Sequence, residues 1–555
     1  MFDPACGSGN FLTESYLSLR RLENDILRET VLDKAGSGVL GFDEAAYSPI
    51  KVSIQQFYGI EINDFAVSVA KTAIWIAESQ MMQETEGIVH HEMNFLPLTT
   101  NANIHEGNAL RMDWKEILPP GDDVRIMGNP PFVGYSLQSK EQKDDIRNTY
   151  VDANGTTYTT AGKVDYVAAW YFKASEYMQG TKIRTAFVST NSITQGEQVS
   201  AVWKPLYERF HIEINFAYQT FRWNSESKQK AAVHCVIIGF CAEHTHEKKK
   251  LFTNEHKFDL VDSINPYLLN APVVFIESRK KPLSNIPSIV KGSSPVDGQN
   301  LLLSEEEYLE ALKKDPELST FIHPFLGAKE FLHNKKRYCL WLINQSPSEL
   351  KKHPFILERG AAVRDFRLHS KKAATRKYAD YPTQFMEIRQ PTETYILIPR
   401  HSSENRRYIP FGFLSPTVIC GDANIAMPSA NLFHFGILES NVHMAWMRTV
   451  AGRLKSDYRY SNDIVYNNFP WPTPTPEQTA AIEKTAQAIL DARELYPDSS
   501  LADLYDEVLM PKELREAHRA NDRAVMRAYG FPIKMTKADC VAALMQMYEQ
   551  LTAGK

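Results

Sequence analysis

Six cysteines are all that 555 residues contain, and none belongs to a Cys-x-x-Cys pair. Cys6, Cys235, Cys241, Cys339, Cys420 and Cys540 are too scattered for a zinc site or a disulfide framework, and they suit a reducing cytoplasm. Also lacking is any uncharged apolar run of about 18 residues, the length a membrane span requires. The start, Met1-Phe2-Asp3-Pro4, has neither a basic leader nor an apolar stretch, so no secretory signal is visible. A net charge of −5 excludes a general polycation, so any surface for nucleic acid must be local. Internal repeats and low-complexity tracts are missing too.

What is present is an ordinary globular mixture, 43% hydrophobic and 23% charged, in a chain too long for one core. Residues 1–245 alternate short apolar runs with helical stretches. The runs Gln56–Ile62, Asn103–Ala109, Val124–Gly128, Arg184–Thr190 and Val233–Phe240 predict buried strands. Between them, Phe11–Arg28, Asp64–Met82, Val164–Tyr177 and Gly196–Phe210 predict helices. Such alternation gives an α/β class, a mostly parallel doubly wound sheet that binds ligands at the carboxyl ends of its strands. Prolines 272, 282, 287 and 295 and the run Gly292-Ser293-Ser294 mark 246–319 as a linker leading into a second region. Residues 320–430 mix strand-like runs with basic loops. Residues 431–555 hold a helix at Asn441–Val450, a polar aromatic loop, the stop Pro470-Trp471-Pro472, and a helical tail from near Glu477.

Four motifs carry chemistry. Asp3-Pro4-Ala5-Cys6-Gly7-Ser8-Gly9-Asn10-Phe11 places a Gly-x-Gly turn between a strand and a helix, where a ligand can approach the backbone. Alone that spacing is equally well a structural turn. Tyr58-Gly59-Ile60-Glu61-Ile62 is an apolar strand ending in an acid, placed to hold both hydroxyls of a ribose. Glu106-Gly107-Asn108-Ala109-Leu110 sets an amide at another strand end, suited to the adenine ring of a cofactor. The fourth, Gly128-Asn129-Pro130-Pro131-Phe132, is decisive. Its two prolines cannot extend a sheet and so fix an irregular loop there.

That loop fits the methylation of an exocyclic amine, whose lone pair is delocalised and weakly nucleophilic. The Asn129 side-chain oxygen and the Pro130 carbonyl can each accept one amino hydrogen, favouring the tetrahedral nitrogen of the transition state. Phe132 offers a face for a flipped-out base. A sulfonium cofactor brings its own good leaving group, so no metal and no strong general base is demanded, and alignment supplies much of the rest.

Taken in order, the four motifs resemble the class I S-adenosylmethionine methyltransferases that act on adenine amino groups. Further stretches resemble the MmeI-like (type IIL) family of fused restriction–modification enzymes. They are Phe2–Phe11, Gln56–Ile62 with Ala73–Glu78, the block Tyr466-Asn467-Asn468-Phe469-Pro470-Trp471-Pro472, Lys336–Trp341 and Ile398–Glu404. The resemblance implies a Rossmann-like catalytic domain at 1–245, with S-adenosylmethionine held by Asp3, Pro4, Ala5, Cys6, Gly7, Gly9, Asn10, Phe11, Glu61, Ile62, Asn108 and Ala109. It also implies catalysis by Asn129, Pro130, Pro131 and Phe132, an α+β target-recognition domain at 320–430, and a helical C-terminal region. Members of that family carry a nuclease and a helical spacer ahead of the cofactor turn. The chain therefore reads as a fragment or split gene product, with a separate N-terminal nuclease and spacer polypeptide as a partner. Glu141-Gln142-Lys143, Glu226-Ser227-Lys228 and Glu255-His256-Lys257 match the nuclease pattern Glu-x-Lys, but none has a convincing aspartate partner. His244-Thr245-His246-Glu247, ahead of three lysines, reads as a solvated turn and not as a metal site.

The basic clusters lie in the second half. Arg364, Arg367, Lys371 and Lys372 crowd one stretch, followed by Arg389, Gln390, Arg406 and Arg407, and then Arg453, Lys455 and Arg459 among tyrosines. Any one of these is most simply a charged surface residue. As a group beside a base-modifying site they predict contact with double-stranded DNA. Two other readings use the same motifs. Asn-Pro-Pro-aromatic sites also serve methylation of RNA bases and protein glutamine, though with shorter second halves, and a methylase fragment can persist as an inactive or partner-dependent DNA-recognition subunit.

Overall fold

The computed structural model describes residues 1–36, 50–89, 102–223, 233–243, 247–254, 256–454 and 456–553. The chain divides into two compact units, the first running essentially to Phe275 and the second from Ile276 to Lys555. The catalytic region expected to end at residue 245 therefore extends further. Two strands beyond that point join its sheet, so 246–275 is not linker.

In the first unit one sheet runs through nine strands: β1 (Phe2–Asp3), β2 (Tyr58–Glu61), β3 (Asn103–Glu106), β4 (Arg125–Gly128), β5 (Arg184–Thr190), β6 (Glu213–Trp223), β7 (Val233–Cys241), β8 (Lys249–Phe252) and β9 (Phe258–Val261). Their spatial order is β3-β2-β1-β4-β5-β7-β6-β8-β9. The first five are parallel, and β7 then turns the sheet antiparallel against β5. The parallel part matches the predicted strands to within a few residues. Strands β6, β8 and β9 were not legible, because β6 interleaves Glu213, Asn215, Gln219 and Arg222 with its apolar residues. The order reverses at β1, which has β2 on one side and β4 on the other, and at such a switch point the loops leaving adjacent strands diverge and open a crevice. Helices α1 (Asn10–Gly36) and α2 (Asp64–Val89) pack together over this edge, with Leu12, Tyr16, Val67, Ala70, Ile74 and Ala77 buried between them and the strands. Further on come α3 (Trp114–Ile117), α4 (Lys140–Thr149), α5 (Ala168–Tyr177) and α6 (Gly196–Phe210).

The second unit carries two small four-stranded sheets, a three-stranded one, and a helical C-terminal part. Basic residues expected in loops, Arg364 and Arg367, lie on a helix, Pro354–Leu368, whose inner face buries Arg367 and packs Ile356 and Val363 in a core with Leu303, Phe325 and Leu340. The expected polar aromatic loop is a buried clasp. Residues Asn462–Tyr466 form a π-helical turn. Beyond it the Asn467 and Asn468 amides donate to the carbonyls of Arg279 (2.7 Å) and Glu277 (2.9 Å), and the Tyr466 hydroxyl donates to Pro287 (2.6 Å). These side chains supply hydrogen bonds to a stretch of main chain that has no ladder of its own. No described helix is long and apolar enough to cross a membrane.

An ionic network ties the C-terminal helices to this unit. Glu439, fully buried, accepts from the Phe411 amide at 2.6 Å and from Arg493 at 2.7 Å. Burial pushes its carboxyl up to about 7 against the pull of Arg493. Arg493 also donates to the Tyr505 hydroxyl, which meets His518 at 2.8 Å. Removing one member of a buried pair strands the other. Arg493→Met is therefore expected to lower unfolding free energy by about 3 kcal/mol or more, measured by urea denaturation, with Glu439→Gln added to it restoring part of the loss. A single-variant cost below about 1 kcal/mol would show that other contacts hold these helices.

Candidate active site

The first unit's site begins where β1 ends. Gly7 and Gly9 adopt φ of +54° and +83°, the left-handed region that lets the chain turn directly into α1. A Cβ on Gly9 would stand 2.9 Å from that of Ala70 on α2, so the turn can only lie this close to the neighbouring helix as glycine. The turn is fixed from four sides. Cys6 N–H donates to Ile60 O at 3.0 Å, Gly9 N–H to Cys6 O at 2.8 Å, Gly7 N–H to Glu61 Oε2 at 3.0 Å, and Trp170 Nε1 to Pro4 O at 3.0 Å. The Cys6 thiol faces inward, against Gly59, so this residue can meet a ligand only through its main chain.

Glu61 spans two loops, since its other oxygen accepts from Asn63 N–H at 2.9 Å. Asn63 in turn caps the first turn of α2 through Ala66 N–H. Beside the carboxylate, Ile62 is 67% exposed, an apolar surface next to an acid at a strand end. Gly7 has open space on its Cα, with nothing within 4 Å of an ideal Cβ. Asp3 is fully buried and accepts from Ala5 N–H at 3.0 Å through Oδ1, while Oδ2 has no partner among the described residues. Burial, reinforced by the Glu61 charge, pushes the Asp3 carboxyl up to about 7. A glycine cradle, a carboxylate at a strand end with an apolar shelf beside it, and a buried acid short of one partner fit a nucleoside ligand that also carries positive charge.

Asn108 is placed differently from expectation. Its Nδ2 donates to Asp145 Oδ2 at 3.0 Å and its Oδ1 accepts from Leu110 N–H at 2.9 Å. Asp145, nearly buried on α4, also takes Arg111 Nε at 2.7 Å and the Tyr166 hydroxyl at 3.1 Å. The amide thus shapes the loop, and Ala109 is buried.

The fourth motif leaves β4, the strand next to β1. Asp3 Oδ1 lies 2.5 Å from where a Cβ on Gly128 would stand, so only glycine fits immediately before Asn129. Pro130 is buried, Pro131 exposed and Phe132 half-buried. Asn129 Oδ1 is buried and has no hydrogen-bond partner among the described residues. An orphaned amide oxygen normally costs about 1–3 kcal/mol, so its persistence at a strand end suits an acceptor kept for a donor from outside. The loop's later part is tied to Asp165, which no sequence pattern singled out.

In the second unit the predicted DNA residues differ in their settings. Arg364, Lys371, Lys372, Arg407 and Arg459 are exposed. Arg389 pairs with Glu387 at 2.7 Å and Arg453 with Glu404 at 3.3 Å; Arg453 also stacks 4.3 Å from the Tyr458 ring centroid. Arg406 is half-buried, on a loop whose carbonyls accept from Arg448. Two expectations are corrected. Arg367 is fully buried, its guanidinium donating to the carbonyls of Pro295, Val296, Tyr378, Tyr381 and Gln384, so it holds loops and has no donor left for a phosphate. Gln390 likewise spends its amide on Pro416 O, Val418 O and Cys420 N–H. Lys455 lies outside the described residues, as do the Glu-x-Lys match at 226, Glu255 of the match at 255, and the histidines at 244 and 246. Glu141-Gln142-Lys143 opens α4 and is not on a strand. The strands His401–Ser402, Asp457–Arg459 and Gly452–Leu454 pair His401 with Arg459, and Arg400 and Arg459 both help burial hold the His401 imidazole below its usual range. Missed by sequence reasoning was a cavity of about 650 Å³, lined by Asp297, Gln299, Glu330, Arg337 and Asp422 with Phe325 and Phe366.

Residues 1–253 match the family described as MmeI, DNA-methyltransferase domain; 270–473 match its target recognition domain, and 474–554 its C-terminal domain. DNA methyltransferase A of Bacillus subtilis (strain 168) is 40% identical, over 99% of this chain and 61% of that protein. The chain thus spans about three-fifths of the length of that curated relative. A solved structure of the type IIL restriction–modification enzyme MmeI in complex with DNA is 42% identical and superposes with a TM-score of 0.86, covering all of this chain and 73% of that one.

The raised Asp3 carboxyl has a consequence for stability. The folded protein holds that proton until about pH 7 while the unfolded chain releases it near 4, so the group's stabilising contribution is lost as pH rises between those values. Asp3→Asn, uncharged throughout, is expected to be more stable than wild type by about 1–3 kcal/mol at pH 7.5, with the gap closing toward pH 5. Urea denaturation at the two pH values measures this; a gap that widens toward low pH would contradict it.

Proposed function

The chain belongs to the MmeI family, and on that premise we propose that it transfers the methyl group of S-adenosylmethionine to the exocyclic amine of adenine in duplex DNA, within a restriction–modification system. The observation that carries this reading is the buried, unpartnered Asn129 Oδ1, at the end of the strand beside the glycine turn. S-adenosylmethionine, when bound, supplies an electrophilic methyl group on a sulfonium, a good leaving group. The Gly7–Gly9 turn would give it close approach to the main chain, Glu61 would accept from ribose hydroxyls, Ile62 would cover a face of the adenine ring, and the Asp3 carboxyl, which a nearby cation would draw back toward ionisation, would balance positive charge. Asn129 Oδ1 and the Pro130 carbonyl accept the two amino hydrogens of the target base, which localises the lone pair on nitrogen and stabilises charge as it develops. Phe132 stacks on the base and, with Pro130, excludes water from the reacting nitrogen.

The second half reads the sequence in this proposal, as the target recognition match at 270–473 supports. Exposed Arg364, Lys371, Lys372, Arg407 and Arg459 meet phosphates, which fixes register without specifying bases.

Two measurements test the reading. Incubation with radiolabelled S-adenosylmethionine and duplex DNA, RNA or protein is expected to label duplex DNA alone, with Asn129→Ala retaining DNA binding and losing about 100-fold or more in rate. Label in RNA or protein and not in DNA would reject it. In binding titrations against salt, Arg459→Ala is expected to lower the log–log slope by about one, whereas Arg367→Met leaves the slope unchanged and lowers the melting temperature. The reverse pattern would contradict the placement of these two arginines.

A further inference from the structure

The loop after Asn129 would need an anchor of its own, since prolines stiffen a chain without fixing where it points. That anchor comes from a short strap, Val164–Tyr166, which touches the loop at three places. Tyr166 N–H donates to Val133 O at 2.9 Å, Asp165 Oδ1 accepts from Tyr135 N–H at 3.1 Å, and Gln138 Nε2 donates to Val164 O at 3.0 Å. Asp165 is itself held. Its Oδ2 accepts from the Ser192 hydroxyl at 2.6 Å, Ser192 meets Thr190 Oγ1 at 2.8 Å at the end of β5, and its own N–H donates to Gln198 Oε1 at 3.1 Å on α6.

We infer that Asp165 is a positioning residue for the methyl-transfer site, a role that rests on the function proposed above. Its two oxygens each take a donor, one from the base-binding loop and one from Ser192 in the turn that follows β5. A carboxylate is an acceptor at both oxygens and can bridge two donors in this way; an amide offers one acceptor and one donor. The bridge fixes the distance between Tyr135 and the sheet, and with Pro130 and Pro131 rigid it fixes Asn129-Pro130-Pro131-Phe132 as well. Asp165 makes none of the cofactor-turn contacts of Gly7, Gly9 and Glu61, so its loss acts on the target base and not on cofactor binding.

The experiment compares wild type with Asp165→Ala, Asp165→Asn and Ser192→Ala under saturating S-adenosylmethionine and DNA. Asp165→Ala is expected to lower kcat by about 100-fold and the milder two by about 10-fold, the size of penalty that follows a shift of about 1 Å in a reacting group. Cofactor affinity by titration calorimetry stays within about twofold in all three. Hydrogen exchange, which needs no turnover, is expected to show the Tyr135 amide exchanging at least about 10-fold faster in Asp165→Ala while β2 keeps its protection. Active wild type with an equally active Asp165→Ala would overturn the inference and leave the proposed function standing. Loss of cofactor affinity in parallel with kcat, or unchanged exchange at Tyr135, would overturn it too. A wild-type protein that labels no DNA contradicts the proposed function instead, and the exchange result still decides the anchor.

Discussion

One close contact organises the first unit: the buried carboxyl of Asp3 against Gly128. It joins the ends of two adjacent parallel strands, β1 and β4, whose following loops are the glycine turn and the Asn129 loop. Parallel pairing sends both loops off the same edge, and the strand order reverses at β1, the kind of switch point where α/β sheets bind ligands. Asp3 can approach only because Gly128 has no side chain, and Cys6 can fill the core only because Gly59 has none. The two glycines therefore set how near a cofactor lies to a target amine in the proposed reaction. Burial here is costly, as the raised Asp3 carboxyl and the orphaned Asn129 oxygen both record. Polar groups left short of partners at such a junction are the expected sign of a site that is completed by ligands.

The second unit solves a different problem. Its sheets are small and its connecting segments long, so side chains take over work that ladders do elsewhere. Arg367 gathers five carbonyls, Asn467 and Asn468 clasp the segment near Glu277, and Glu439 with Arg493 ties in the C-terminal helices. With those donors committed inside, Arg364, Lys371, Lys372, Arg407 and Arg459 stay exposed, and in the proposed function they meet the DNA.

The parallel strands and the four motifs were legible because each is local: a strand period, a glycine spacing, an Asn-Pro-Pro-aromatic run. Asn129 carries its chemistry in its neighbours. Asp165 does not, since a single aspartate 36 residues later gains meaning only when the fold brings it to Tyr135. Arg367 was misread for a related reason. A guanidinium in a basic stretch looks the same whether it faces water or carbonyls, and only the helix register of Pro354–Leu368 turns it inward. Strands β8 and β9 were hidden by their charge, with Lys249 and Lys250 in one and Asp259 in the other, and that is why the first unit was drawn too short.

The central claim is that Asn129 Oδ1 is kept for an amino hydrogen of the substrate. It is tested most directly by digesting DNA methylated by this protein to nucleosides and identifying the product by mass spectrometry. N6-methyladenine is the result predicted. A methyl group on a ring carbon, as in 5-methylcytosine, would contradict the account, because such a carbon has no amino hydrogens for that oxygen to accept.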